Sequence, residues 1–343
     1  MKGEIVYQWN CYLDKFPVER KDIYFREEYV KLYEAGNERA VCFIYIKGEK
    51  IFLHPFLKRM FYHADREYFD FETPYGYGGP ITNIQDNDFF KEGLISFFDW
   101  CSNNHCIAGF VRFHPLLDNS KYYKLIGDVI DDRLTVAMDL SLSEHDLWMS
   151  ELSSTNRRNI NKAKKNGLGF TVDKDFLYSD TFVSLYNNTM QKVKADDFYY
   201  FQYDYFLSLK NDIPNSFLGL VWHEEKIVAA AIYMYCGKYG HYHLGGSDIN
   251  SLEYRPNNFL QFEAAKVLKS YGVEKFHLGG GTTSDEHDPL FIFKSKFSSI
   301  RCIFSIGKTI FNQQIYNELC EQWELKNPSK KEKYKHFLLK YKY

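Results

Sequence analysis

Tyr254-Arg255-Pro256-Asn257-Asn258 opens a stretch that closes at Phe293-Lys294-Ser295-Lys296-Phe297, and its punctuation sets the fold. Behind the Asn pair, Leu260, Ala264, Val267, Leu268 and Tyr271 recur at i, i+4, i+7, i+8 and i+11, the spacing of an amphipathic helix. Gly272 ends that helix, and Val273 to Leu278 reads as a strand running into Gly279-Gly280-Gly281. Helix starts rich in Asn and strand ends rich in Gly are places where backbone meets a ligand.

Outward from this stretch, the order of elements in the second half repeats that of the first. Val41 to Ile46 and Ile51 to Pro55 read as strands around Lys47-Gly48-Glu49-Lys50; Phe217 to Trp222 and Ile227 to Tyr235 do so around His223-Glu224-Glu225-Lys226. The aromatic strand Tyr68 to Gly79 matches His241 to Gly246, the helix Asp88 to Asn104 matches Asn258 to Tyr271, and Cys106 to Phe113 matches Val273 to Leu278. The offset stays at about 170 positions, so one α/β unit is expected twice, although the residues themselves do not repeat. Between the copies, 143–166 reads as one helix: Ser143 and Asp146 have capping-box-like spacing, Gly167 suits the C-terminal end, and Arg157, Arg158, Lys162, Lys164 and Lys165 make its second half basic. After Asn327, Tyr334, Phe337, Leu338 and Tyr341 share a helical face in a Lys-rich tail.

Bulk composition narrows the classes. A length of 343 residues fits two domains, and 45% hydrophobic with 18% aromatic residues supplies packed cores. A net charge of −2 excludes a global basic field for DNA. Seven cysteines with no C-x-x-C spacing read as thiols in a reducing compartment. The N-terminus shows no signal peptide and no apolar run reaches the ~20 residues that span a bilayer, so the expected location is cytoplasmic.

Three segments together resemble the FemAB-like peptidyltransferases, within the GNAT-like acyltransferases: Thr73-Pro74-Tyr75-Gly76-Tyr77-Gly78-Gly79-Pro80, the run Asn156 to Gly167, and His277 to Phe297. The resemblance covers residues 5–310. It implies an α/β chain of two tandem GNAT-like domains, 1–142 and 143–310, the second including the basic connecting helix, with a basic helical tail at 311–343. It further implies transfer of an acyl or aminoacyl group to an amine or hydroxyl. Acceptors in the family are phosphate-bearing, lipid- or nucleotide-linked cell-wall or surface-glycan precursors. The donor is a co-substrate rather than a tightly bound cofactor: aminoacyl-tRNA, or acyl-CoA in GNAT relatives. Lipid-linked acceptors would place the chain at the inner face of an anionic membrane, and the basic tail could touch it. One departure matters. Acyl-CoA-binding GNAT domains carry a Gly-rich loop before the helix that follows the fourth strand, whereas Arg255 to Leu260 here, and Asn83 to Phe89 in the first copy, contain no glycine.

Each candidate residue has an ordinary reading beside the functional one. Arg157 and Asn161 lie one helical turn apart and suit an acceptor phosphate, though charged helix faces are commonly just solvated. Tyr75, Gly76, Tyr77, Gly78 and Gly79 form a turn whose two rings could wall a sugar or base. Asn257 and Asn258 are expected to cap their helix, with Arg255 beside them at the substrate. Gly279 and Gly280 mark close backbone approach. Lys294 and Lys296, read as alternating in a strand, share one face bracketed by phenylalanines; Lys294 is the expected charge partner of the reacting carbonyl, and the alternative is a snorkelling surface pair. Asp285, in the cluster Asp285-Glu286-His287-Asp288, is the candidate base. His241 and His243 share a strand face but lack a third ligand at sensible spacing, so no metal is expected. The readings carried forward are an aminoacyltransferase, an acyl-CoA-dependent N- or O-acyltransferase of a nucleotide sugar or small metabolite, and a non-catalytic binding module of the same fold.

Overall fold

Two-residue turns build the hairpins of both halves. Lys47 pairs with Lys50 across Gly48-Glu49, and His223 pairs with Lys226 across Glu224-Glu225. Gly48 and Glu224 take positive φ (62° and 54°), the backbone that matches the twist of paired strands. The computed structural model describes residues 3–124, 126–196, 199–201 and 203–343. They form two units, residues 1–132 with 303–343, and residues 133–302.

The first unit contains β1 (Glu4–Val6), β2 (Glu38–Lys47), β3 (Lys50–His63), β4 (Arg66–Glu72), β5 (Ile81–Thr82) and β6 (Cys106–Arg112), with helices α1 (Asn10–Leu13), α2 (Glu27–Lys31), α3 (Asn87–Asn103) and α4 (Ser120–Tyr123). The second contains β7 (Val129–Asp139), α5 (Glu144–Asp146), α6 (Ser154–Lys165), β8 (Gly169–Asp173), α7 (Ser179–Lys192), α8 (Tyr203–Asp212), β9 (Ser216–His223), β10 (Lys226–Cys236), β11 (Tyr239–Ser247), α9 (Pro256–Ser270), β12 (Lys275–Gly280) and α10 (Pro289–Ser295). The chain then returns through β13 (Arg301–Ile310), α11 (Gln313–Lys326) and α12 (Lys331–Tyr334).

The expected repeat is present. In the first unit β2, β3 and β4 are antiparallel, α3 follows, and β6 lies parallel to β4. In the second, β9, β10 and β11 are antiparallel, α9 follows, and β12 lies parallel to β11. The expected domain ends at 142 and 310 are corrected. β7 pairs with β12 of the second unit and β13 with β6 of the first, so the divisions fall at 132 and 302 and the C-terminal residues return to the first unit. A boundary drawn between elements misses a strand that carries the chain from one unit to the next.

Each core sits under the helix between the parallel strands. Phe89, Phe90, Leu94 and Phe97 of α3 pack on Phe43, Phe52, Phe56 and Phe71. At Gly93 a Cβ would lie 2.5 Å from the Phe52 ring, so glycine lets helix and sheet close. His54 is sealed in this aromatic core with neither ring nitrogen hydrogen-bonded, and burial lowers its pKa to about 3, keeping it neutral. In the second unit Phe259, Leu260, Ala264, Ala265 and Leu268 of α9 pack against Val221, Ala229, Ala231, Tyr233 and Phe276.

Three local expectations change. Residues 143–166 are not one helix: after α5 a π-helical turn at Leu147–Glu151 ends in extended Leu152, and Ser153 caps a new helix by accepting from Asn156 N at 3.2 Å. Phe293 to Phe297 is not a strand; Asp288 and Pro289 start a helix there. The tail is not one amphipathic helix. It breaks into short turns whose Leu338 and Leu339 are buried against Ile107 and Ala108. Its lysines are largely paired in place: Lys331 and Lys340 with Glu324, and Lys342 with Glu38 and Glu72. No helix among the described residues is long and apolar enough to cross a membrane.

Candidate functional site

In the second unit, the parallel strands β11 and β12 pair only from Tyr239↔Lys275 to His241↔His277. Beyond that point β11 runs on to Ser247 and β12 to Gly280 with no ladder between them, which opens a fork at their C-terminal ends. Ligands favour such ends of parallel strands. In the first unit the corresponding strands stay zipped, from Phe69↔Cys106 through Glu72↔Phe110 to a further bridge at Gly78↔Phe113. The two copies share topology, but the described pairing opens only the second.

Lys294 spans this fork. Its Nζ donates to the Gly280 carbonyl at 2.8 Å, on the β12 side, and lies 5.6 Å from the centroid of the Tyr242 ring on β11. The side chain is 7% exposed. Burial lowers its pKa from 10.5 to about 7, against the opposing pull of the Asp288 carboxylate. Lys294 is therefore a group able to hold or release a proton near neutrality. Of the neighbouring phenylalanines, Phe291 and Phe297 are buried and Phe293 is half-buried. The shared face with Lys296 does not hold. Two residues along a helix rotate by about 200°, and Lys296 terminates α10, half-exposed, with its backbone rather than its ammonium engaged.

The three glycines are there for close approach. Gly279 takes φ 77° at an irregularity in the pairing with β7. A Cβ on Gly280 would lie 2.7 Å from the Leu134 carbonyl, and one on Gly281 2.6 Å from Asp288. Asp288, which sequence reasoning left among ordinary loop acids, is the clamp of the site. Its Oδ1 accepts from the N–H of Leu290 and Phe291 at the start of α10; its Oδ2 accepts from Thr282 N at 3.0 Å and Thr283 N at 3.2 Å, and from both threonine hydroxyls. Burial pushes its pKa up, but these hydrogen bonds outweigh burial and hold it at about 2. The Asp288-Pro289 pair was the available signal, an N-cap before a proline at the first helical position. Asp285 is exposed, and its Oδ1 accepts from His287 N at 2.8 Å, a turn-forming role.

The far end of α10 is also tied down. The Lys296 carbonyl accepts from Ser153 N at 2.9 Å and from Asn156 Nδ2 at 3.2 Å; Asn156 Oδ1 in turn accepts from Asn258 Nδ2 at 2.7 Å. Asn156 is fully buried. Asn258 thus serves α6 and α10 rather than capping α9, and Asn257 donates to Ser247 Oγ at 3.1 Å; neither makes the expected cap. Pro256 occupies the first position of α9, where no N–H needs a cap, and exposed Arg255 precedes it in the left-handed region at φ 63°. Arg157 is drawn inward: its Nη1 donates to the carbonyls of Trp148, Met149 and Leu152, closing the π-helical turn. Asn161 is exposed on α6. Of the basic face, Lys164 pairs with Glu263 at 3.8 Å. His241 and His243 are both buried, but the β10 ladder skips His243, so they do not simply alternate on one face. His243 Nε2 shares a hydrogen bond with the Tyr205 hydroxyl, and burial with the nearby His241 lowers its pKa to about 3.

In the first unit, Tyr75 to Gly79 is held from both sides. Gly76 and Gly79 take φ 89° and 84°; a Cβ on Gly76 would meet the Tyr24 ring at 2.6 Å. Asn119 Nδ2 donates to the carbonyls of Gly78 and Pro80, and Tyr29 donates its hydroxyl to the Tyr75 carbonyl at 2.8 Å. Tyr75 and Tyr77 are half-buried, not freely exposed: Tyr77 meets Tyr24 edge-on at 5.3 Å, and Tyr75 lies 6.4 Å from Tyr33. Beneath them Asp22 and His114 are fully buried and 2.8 Å apart. Leu117 N donates to His114 Nδ1, so Nε2 carries the proton toward Asp22. This pair is separated by 92 positions in sequence and gives no local signal.

Comparison with known proteins agrees with this fold. Residues 150–287 match the family model of the acetyltransferase (GNAT) domain. The fold is similar to the crystal structure of FemX, with TM-score 0.70 and 14% identity over 92% of this chain and 99% of that one. It is also similar to the structure of L-PGS from Bacillus licheniformis, with TM-score 0.53 and 15% identity over 86% and 90% of the two chains. No curated protein matches in sequence. The fold is thus mixed α/β with two GNAT-like units in tandem, and the likeness to FemX extends over nearly the whole chain.

Proposed function

We propose that the chain is an acyltransferase that passes an aminoacyl group to an amine or hydroxyl of a phosphate-bearing cell-wall or surface-glycan precursor. The observation that carries the reading is Lys294 lying across the β11–β12 fork, with its proton affinity tuned to about 7. An acceptor that attacks an activated carbonyl generates an oxyanion, and a donor held in a water-poor site stabilises it without reorganisation. Lys294 in its ammonium form is that donor. The Gly280 carbonyl fixes where the ammonium points, Asp288 holds the start of the helix that carries it, and the Asn258–Asn156–Lys296 chain holds its end.

The likeness to FemX and L-PGS supports aminoacyl transfer. The start of α9 supports the choice of donor: Pro256 removes one N–H from the helix N-terminus and no glycine lets a pyrophosphate approach. The GNAT acetyltransferase match keeps acyl-CoA as the second reading. The test is transfer from charged tRNA, and in parallel from acetyl-CoA, to nucleotide- and lipid-linked glycan precursors, followed by mass spectrometry. An aminoacylated product supports the proposal; acylation from CoA alone would replace it with the second reading.

A further inference from the structure

We infer that the second unit carries a separate binding cleft for a neutral oligosaccharide, between α7 and the ends of β9, β10 and β11. The cleft has a volume of about 960 Å³, near the upper end of the roughly 300–1,000 Å³ typical of small-molecule sites. Its floor is built where α7 and β11 touch. Gly246 lets them close, since a Cβ there would lie 2.4 Å from the Leu185 backbone, and Ser247 N donates to Thr189 Oγ1 across the join.

The lining argues for the class of ligand. Trp222 and Tyr178 form one wall, edge to face with centroids 5.3 Å apart. The indole is fixed in advance, because its Nε1 donates to Thr171 Oγ1 at 2.8 Å and the Tyr178 backbone donates to Asp173. A ring held in place stacks on a ligand at little entropic cost. Along α7, Thr181, Ser184 and Asn188 line the cleft at helical spacing, uncharged groups that both donate and accept. Exposed Ile249 and Tyr178 lie at its surface.

Charge disfavours an anion. Lys226 and Asp248 neutralise one another, and the remaining charges are Lys192 against Asp180 and Glu225. A phosphate or nucleic-acid strand would meet more carboxylate than ammonium. A purely apolar ligand would strand the hydroxyl and amide groups. A sugar, with flat C–H faces for the aromatic wall and hydroxyls for α7, satisfies both sides. This inference stands independently of the acyltransferase reading.

The test is calorimetry of the full chain with chitotriose, maltotriose and cellotriose. At least one should bind. Trp222→Ala, and Asn188→Ala on the solvent side of α7, should each weaken it by about tenfold or more, while Lys294→Ala leaves the affinity unchanged. Asn188→Ala removes an exposed side chain and keeps the test valid if Trp222→Ala disturbs the sheet. Failure of all three saccharides to bind would overturn the inference. So would binding that both variants leave intact, or inorganic phosphate or a nucleotide occupying the cleft instead.

Discussion

Lys294 combines a cost to the fold with a use in the reaction. Its pKa falls from 10.5 in an open chain to about 7 in the folded state, so between these values the unfolded chain binds more protons. Stability from this residue therefore rises with pH from about 7 toward 10.5, and below 7 the burial penalty is fully present. Lys294→Met should stabilise the fold at pH 6, by on the order of a few kcal/mol and with a raised melting temperature, and do so less at pH 9. A lowered melting temperature at pH 6 would show that the ammonium is a net stabiliser. For catalysis the sign is opposite. If the ammonium donates to the oxyanion, kcat/KM should fall as pH rises through about 7, because kcat/KM reports the free enzyme; a rise through the same range would make the neutral amine a base. Lys296→Ala and Asp285→Ala, which alter groups at the margin of the site, should change kcat by less than about threefold.

At the scale of elements, α10 is held at both ends, by Asp288 at its start and by Asn156 at its finish. Asp288→Ala removes a cap and the anchor of the Thr282-Thr283 turn and should cost about 2 kcal/mol or more in urea unfolding. Because the Asp288 pKa is depressed to about 2, its contribution is present above about pH 4 and is lost as pH falls through 2. A change within a few tenths of a kcal/mol would mean the turn is held by other contacts. The same elements show how far the sequence could be read. Hairpins, helices and parallel strands of both copies were legible because turn residues and period-3.6 apolar spacing are local signals. The alternation Phe293-Lys294-Ser295-Lys296-Phe297 imitates a strand, yet Asp288-Pro289 starts a helix of seven residues, too short for its period to show. The break at Leu152 was hidden because Ser153 resembles any other polar residue inside a helix, although it heads the next one. Lys294 was found from its phenylalanine neighbours; Tyr242 and Asn156 were not, because their roles arise from contacts distant in sequence, and Asp288 was passed over although its partners are local and Asp288-Pro289 marks a helix start.

Across the whole chain, a repeated unit has diverged in use. The parallel pair of the first copy is zipped to Gly78↔Phe113, and that of the second opens at His241↔His277. The C-terminal residues belong to the first unit, where Lys342 meets the carboxylates of Glu38 and Glu72, and Trp323 Nε1 donates to the Tyr343 carbonyl. Burial raises the Glu72 pKa, but Arg112 and Lys342 together bring it below the usual range. Lys342→Ala should therefore destabilise by roughly 1–3 kcal/mol, whereas a tail serving only as a lipid anchor would leave urea unfolding unchanged and lose liposome flotation instead. The most direct measurement of the central claim is transfer of a radiolabelled amino acid from charged tRNA to a glycan precursor, by the native chain and by Lys294→Ala at pH 6.5. The label should move to the precursor with the native chain and do so about 10²–10³ times more slowly with the variant. Equal rates, or label that never leaves the tRNA with any precursor, would contradict it.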